Sequence, residues 1–237
     1  MKNMISVIIP LFNKRKTIVR TINSILNQTY KDLEVIVIDD GSTDGSVDII
    51  TNVFNNGGKL KIISGEHKGA NAARNRGARE AQGEYLFFCD ADIILKPYAL
   101  EHFKNALDKD SKASYAYCSF RLGIKKISGL EYNIEDLKEC NYISTMSLIQ
   151  KKDFPGFDED LVKFQDWDLW LTMAERGMRG VFVPEVLFYA TPAKNGKSKW
   201  LPKIFYKIPW EKFGIKIKAL QNYFEAQEKI RNKHGLD

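Results

Sequence analysis

No apolar run in this chain approaches the roughly 20 residues needed to cross a bilayer. The first residues, Met1-Lys-Asn-Met-Ile-Ser6, enter an apolar stretch directly, without the apolar core or small-residue cleavage site of a secretory leader. Cysteine is scarce: Cys89, Cys118 and Cys140 are odd in number and scattered. None forms a C-x-x-C pair, which argues against a disulfide framework and against a zinc site. Cys89 and Cys118 fall in apolar segments and read as packing residues. The expected setting is a reducing cytoplasm. No G-x-G-x-x-G follows the first apolar run and no Walker A sequence occurs, so a dinucleotide fold is not supported. Any phosphate must then be held by a metal ion and by Arg or Lys. Internal repeats and low-complexity segments are also absent.

Positive charge is concentrated at one end. Residues 194–237 hold eleven Lys/Arg against four Asp/Glu, a surplus of +7, so the formal +6 of the whole chain leaves residues 1–193 at −1. Within those first residues, apolar runs at 4–10, 33–38, 60–63 and 85–88 alternate with segments of helical spacing. The helical stretches are expected at 14–28 (Ile18, Ile22, Ile25, Leu26), after Gly45 (Val47, Ile50, Phe54), and from Ala70 to Ala81. This alternation predicts βαβ units and a mainly parallel, Rossmann-like sheet flanked by helices. Further on, a helix is expected from Pro97 to about Asp108 and strands at 114–120 and 143–149. A last strand pair is expected within Val181–Ala190, and 121–141 forms a weakly patterned excursion.

Ligands of such sheets sit at the carboxyl ends of strands, where Pro10-Leu-Phe-Asn13, Asp39-Asp40 and Asp90-Ala-Asp92 fall. Two carboxylates one residue apart beside a buried strand repel each other and call for a compensating cation. Hard oxygen ligands there suit Mg²⁺ or Mn²⁺ shared with a substrate's phosphates. A solvated acidic turn is the plainer alternative. Asp166 likewise has two readings. It opens a helix whose face carries Trp167, Trp170, Leu171 and Ala174, where the macrodipole alone favours a carboxylate. It could equally act as a general base across a cleft.

Five blocks then stand in order: Ser6-Val-Ile-Ile-Pro-Leu-Phe-Asn13, Glu34-Val-Ile-Val-Ile-Asp-Asp-Gly-Ser-Thr-Asp44, Lys68-Gly-Ala-Asn-Ala-Ala-Arg-Asn-Arg-Gly77, Phe87-Phe-Cys-Asp-Ala-Asp92 and Gln165-Asp-Trp-Asp-Leu-Trp170. Together they closely resemble the inverting family 2 glycosyltransferases with a GT-A fold, over about residues 4–190. The resemblance implies roles position by position. Asp40 matches the carboxylate that binds the nucleotide base, and Pro10 and Phe12 match the wall the base rests on, with Asn13 beside them in the nucleotide site. Arg74 matches the arginine near base and diphosphate. Asp90 matches the residue reaching the ribose or the metal, Asp92 the direct metal ligand, and Asp166 the base that deprotonates the acceptor hydroxyl. The implied cofactor is Mn²⁺ or Mg²⁺. The implied donor is a nucleotide-sugar, with UDP the expected carrier, and the acceptor a saccharide or polyprenyl-linked hydroxyl in cell-surface glycan synthesis.

Three departures bear on that transfer. Gln165 stands where the family usually has Glu beside the base, which puts acceptor orientation in question and motivates an alternative, a non-catalytic nucleotide-sugar-binding or scaffolding subunit. Leu187-Phe-Tyr-Ala-Thr-Pro192 carries no His after the last strand, and His67, His102 and His234 read as surface or packing residues. The Q-x-x-R-W pattern of processive synthases is missing, so single-sugar transfer is expected. The resulting organisation is a GT-A domain over 1–192, with a nucleotide-binding half (1–95) and an acceptor-binding half (96–192), followed by a basic, aromatic tail over 193–237. In the tail, lysines interleave with Trp200, Phe205, Tyr206, Trp210 and Phe213, while Pro202, Pro209 and Gly214 interrupt any long helix until 216–233. Two readings of the tail stay open: packing back on the domain, or lying on an anionic membrane surface at the inner face. No nucleic-acid-binding fold accompanies the charge.

Overall fold

The computed structural model describes residues 3–54, 58–191 and 218–236. It divides into two compact units, Met1–Thr191 and Pro192–Asp237. The interrupted aromatic segment expected over 193–217 lies outside the described residues.

In the first unit, β1 (Ile5–Leu11), β2 (Leu33–Asp39), β3 (Leu60–Ser64) and β4 (Tyr85–Phe88) pair in parallel in the order β3-β2-β1-β4. Their crossovers are α1 (Ile18–Leu26), α2 (Ser46–Phe54) and α3 (Ala70–Glu80). Ile5, Val7, Ile8, Ile9, Val35, Ile36 and Val37 are all fully buried. A strand covered on both faces needs no polar alternation, which is why these read as continuous apolar runs. The second half departs from parallel pairing. After β5 (Ile93–Leu95) and α4 (Ala99–Lys109) come β6 (Ala113–Leu122), β7 (Lys125–Ile127), α5 (Ile134–Glu139), β8 (Leu148–Gln150), α6 (Gln165–Glu175) and β9 (Arg179–Ala190). Here β4/β8, β8/β6, β6/β7 and β9/β5 are antiparallel and β6/β9 is parallel. The result is one mixed sheet, β3-β2-β1-β4-β8-β6-β9-β5, with β7 attached to β6.

Three expected elements take a different form, each for a local reason. The helix of 14–28 begins at Ile18, because the Lys14 carbonyl accepts from both Thr17 N and Ile18 N and closes a turn first. The strand of 143–149 shrinks to Leu148–Gln150. Ser144 Oγ accepts from Met146 N and Ser147 Oγ donates to the Ser144 carbonyl, a local alternative that competes with ladder pairing. The last strand pair is a single strand, β9. Cys118 faces Val183 and Ser119 faces Val186, so Pro184 and Glu185 form a bulge rather than a turn.

In the second unit the helix expected over 216–233 is found as α7, Lys218–Lys233. Among the described residues no helix is long and apolar enough to cross a membrane.

Candidate functional site

The site is assembled where β1, β2 and β4 end together. Asp39 closes β2 and its Oδ1 accepts from Ser42 N (3.0 Å) across the turn at Gly41, whose φ of +78° suits glycine. Asp40 is buried, and its backbone N donates to the Leu11 carbonyl. Its carboxylate reaches the loop before α3, accepting from Lys68 N (2.7 Å) and Gly69 N (3.0 Å). His67 Nδ1 lies 2.8 Å from the same carboxylate and 3.1 Å from the Asp40 backbone carbonyl, and the imidazole stacks on Phe12 with ring centroids 4.1 Å apart. Pro10, in β1, pairs with Ile38 of β2. Phe12, His67 and Asp40 thus form one partly exposed aromatic and acidic surface.

Asn13, at φ +52°, turns the chain out of β1. Its side-chain Oδ1 accepts from Thr43 N and its backbone N donates to Ser42 Oγ, so it stitches the β1 loop to the β2 loop. Lys14 follows, with its N on Ser46 Oγ and its Nζ 2.6 Å from Asp92 Oδ2.

The helix α3 lies close on the sheet because Gly77 has no side chain. A Cβ there would stand 2.3 Å from Ile8 Cγ2. That contact delivers Arg74, only 4% exposed, to Asp90 Oδ1 at 2.8 Å. Asn71 Oδ1 accepts from the same guanidinium (3.0 Å), which also lies 5.3 Å from the Phe157 ring centroid. Asn75 fixes the loop around Phe157 by accepting from Phe157 N and donating to the Phe157 carbonyl.

Asp166 is the second residue of α6, after Phe164 at φ +56°. Burial pushes its carboxyl above the ordinary Asp range, and four groups pull the other way: the Trp167 N–H, its own N–H, the positive charge of Arg74 and the Asn141 side chain. The helix is held by its own indoles: Trp167 Nε1 donates to the Leu137 carbonyl (2.6 Å) and Trp170 Nε1 to the Ile143 carbonyl (3.0 Å). Arg74 therefore bonds Asp90 and acts electrostatically on Asp166, linking groups 76 residues apart in sequence.

The expected site residues Pro10, Phe12, Asn13, Asp40, Arg74, Asp90 and Asp92 are brought together at the strand ends, and Asp166 is joined to them through Arg74. Two functional candidates were missed. His67, read as a surface or packing residue, is bonded to Asp40. Lys14, which follows Asn13 in the first block, is paired with Asp92. His102 instead pairs with Glu185. Burial pushes the Cys89 thiol well up and the Cys118 thiol to about 12, as befits packing residues. Among the described residues no cluster of three or more His, Cys, Asp or Glu could hold a metal alone. Asp90 and Asp92 supply two hard oxygen donors that remain partly exposed. That set fits a cation that keeps water and shares a substrate's phosphates, as Mg²⁺ and Mn²⁺ do.

Comparison with known proteins bears on the family and the fold. The pattern described as Glycosyl transferase family 2 matches residues 6–154. Chondroitin synthase of Escherichia coli is 31% identical over 185 residues, covering 73% of this chain and 27% of that protein. Hyaluronan synthase of Pasteurella multocida is 29% identical over 248 residues, covering 98% of this chain and 24% of that one. The chain thus spans about a quarter of the length of these two relatives. Among solved structures, S. aureus TarS in complex with UDP-GlcNAc superposes with a TM-score of 0.70 at 22% identity, over 87% of this chain and 64% of that chain. Mannosyltransferase PcManGT of Pyrobaculum calidifontis, in complex with GDP-Man and Mn²⁺, gives 0.63 at 21% identity, over 83% and 59%. At these identities the likeness is one of fold, the GT-A fold.

Proposed function

Because the chain belongs to glycosyltransferase family 2, we propose that it moves a single sugar, with inversion, from a nucleotide-sugar to an acceptor hydroxyl. UDP is the favoured carrier, in keeping with the nucleotide bound by TarS. The acceptor is a saccharide or a lipid-linked sugar of a cell-surface glycan. The observation that carries the reading is Arg74, buried between Asp90, which it bonds, and Asp166, whose carboxylate it stabilises. One cleft then holds an acidic pair for the donor and a separate carboxylate for the acceptor.

In this reading the base rests against Phe12 and Pro10 with Asp40 as hydrogen-bond acceptor, and Asn13 keeps the two flanking loops in register. Asp92, with Asp90 beside it, would hold a divalent cation, which when bound stabilises charge on a leaving diphosphate. Arg74 braces Asp90 and adds fixed positive charge near the same phosphates. Asp166 accepts the proton of the acceptor hydroxyl as that oxygen attacks the anomeric carbon from the face opposite the leaving group. The new C–O bond forms as the C–O bond to the diphosphate breaks, so the configuration inverts without an enzyme nucleophile. Its raised pKa suits a base that must take a proton and release it again. For the tail over 193–237 the two readings stand, packing of its aromatics or an anionic membrane surface that presents a polyprenyl-linked acceptor. Binding to vesicles of anionic lipid tests the second, and absence of binding would remove it.

The test of the main reading is a screen of UDP-, GDP- and dTDP-sugars with Mn²⁺ or Mg²⁺, following nucleoside diphosphate release. Metal-dependent release from one donor, lost in Asp92→Ala, is the expected result. Silence across all donors despite measurable UDP binding would favour a binding subunit.

A further inference from the structure

The two carboxylates at 90 and 92 are neutralised by cations of different character. Arg74, on Asp90, is buried and braced by Asn71 and Phe157. Lys14, on Asp92, has a side chain 39% exposed, against 23% for Asp92. Among the described residues its ammonium bonds Asp92 alone. Its backbone, by contrast, is fixed: the N–H donates to Ser46 Oγ (2.9 Å) and the carbonyl accepts from Thr17 N and Ile18 N, both at 3.0 Å. Asn13 before it takes a left-handed φ of +52°, turning the chain out of β1. Lys14 is therefore a partly exposed ammonium on an anchored stem, seated on the carboxylate assigned to a divalent cation.

An ammonium 2.6 Å from Asp92 Oδ2 and a divalent cation on that same oxygen are mutually exclusive, since two positive centres so close repel by several kcal/mol even with partial screening. For a cation to arrive, the ammonium must leave. The anion that enters with the cation is the donor's diphosphate. A lysine ammonium is a compact point charge with freely rotating donors, well suited to follow phosphate oxygens.

We propose that Lys14 is an exchangeable counter-ion: it occupies Asp92 in the empty cleft, yields it to the metal ion, and transfers to the diphosphate of the incoming nucleotide. The proposal rests on Asp92 being the metal-facing carboxylate of the donor site. Its consequence is coupling. Metal binds poorly alone, because Lys14 competes, and binds well with nucleotide, because the displaced ammonium gains a new partner.

The test measures Mn²⁺ binding to the full chain by electron paramagnetic resonance, without nucleotide and with UDP or GDP, and nucleotide binding by calorimetry with Mn²⁺ present. For Lys14→Met, Mn²⁺ affinity without nucleotide should rise about threefold or more, the scale of a partly exposed ion pair lost as competitor. Nucleotide affinity with Mn²⁺ should fall about tenfold, the scale of one charged hydrogen bond. Lys14→Gln, which retains a polar side chain, should move both quantities in the same directions, and guards against a folding defect in one variant. Unchanged Mn²⁺ affinity in both variants, or tighter nucleotide binding, would overturn the proposal. Should the wild type bind Mn²⁺ with neither nucleotide, the donor-site reading falls and the proposal with it. Should the wild type bind and Asp92→Ala abolish binding while both Lys14 variants behave as wild type, only the proposal fails.

Discussion

Replacing Asp166 by Asn separates the chemistry of the site from its architecture. Trp167 N donates to Asp166 Oδ1 at 3.0 Å, and the amide oxygen of Asn can accept the same bond. The Asn141 side chain, whose Oδ1 accepts from Ile143 N (3.1 Å) and whose amide nitrogen is therefore free to donate, can still donate to the oxygen of the new amide. Helix α6 keeps its two indole anchors, so the variant should fold and bind nucleotide as the wild type does. Under the proposed mechanism it loses the proton acceptor, an expected loss of about 10²–10⁴ in turnover, or roughly 3–5 kcal/mol of barrier. The same substitution acts on stability in the opposite sense. Desolvation raises the carboxyl pKa in the folded chain above its unfolded value, so the folded state binds that proton more tightly. The contribution of the group to stability therefore falls as pH rises through the carboxylate range. Asp166→Asn should melt higher than wild type near neutral pH, with the difference vanishing below the ordinary carboxylate pKa. Turnover of the wild type should show an acid limb at higher pH than an exposed Asp would give. Steady-state rates for sugar transfer and thermal melts across pH check both parts. Near wild-type turnover in Asp166→Asn, or a lower melting point at neutral pH, would refute the reasoning.

Further expectations follow from other parts of the cleft. Gly77→Ala forces a Cβ against Ile8 Cγ2 and should cost about 1–3 kcal/mol in denaturant unfolding while shifting Arg74 and weakening nucleotide binding. Asp40→Ala leaves Lys68 N and Gly69 N without their acceptor, a cost of about 1–3 kcal/mol per unsatisfied group if they stay buried. Loss of nucleotide affinity should accompany it, while Asp40→Asn should recover most of the stability but not the affinity. Chelation of divalent cations should stop nucleoside diphosphate release and leave the melting curve nearly unchanged, because no cluster among the described residues depends on metal to fold.

The parts legible in the sequence were those with strong local physics. β1, β2 and β4 are short apolar runs because both their faces are covered, and acidic or turn residues end them where the sheet meets solvent. Asp166 could be placed because Trp167, Trp170 and Leu171 mark the buried side of a helix starting beside it. The illegible parts depend on partners far along the chain. Pro184-Glu185 looks like a break unless the opposite strand, Cys118-Ser119, is known to absorb it. Ser144-Thr145-Met146-Ser147 scores as strand until local hydroxyl bonds are counted. The pairing of Lys14 with Asp92 spans 78 residues, and that of His67 with the Asp40 backbone 27. Neither histidine spacing nor a lone lysine announces such a partner. The five blocks singled out these carboxylates without revealing which cations sit on them.

The two indoles of α6 have a consequence for how this protein can vary. They grip the main-chain carbonyls of Leu137 and Ile143, so the grip itself does not use the side chains of 138–140. It is not indifferent to their number. One residue added or removed between 137 and 143 would carry a carbonyl out of reach and displace Asn141 from Asp166. The segment is thus permissive in composition and strict in length. A library that randomises positions 138–140 should retain transfer in most members, whereas one that changes the spacing by a single residue should lose it in nearly all.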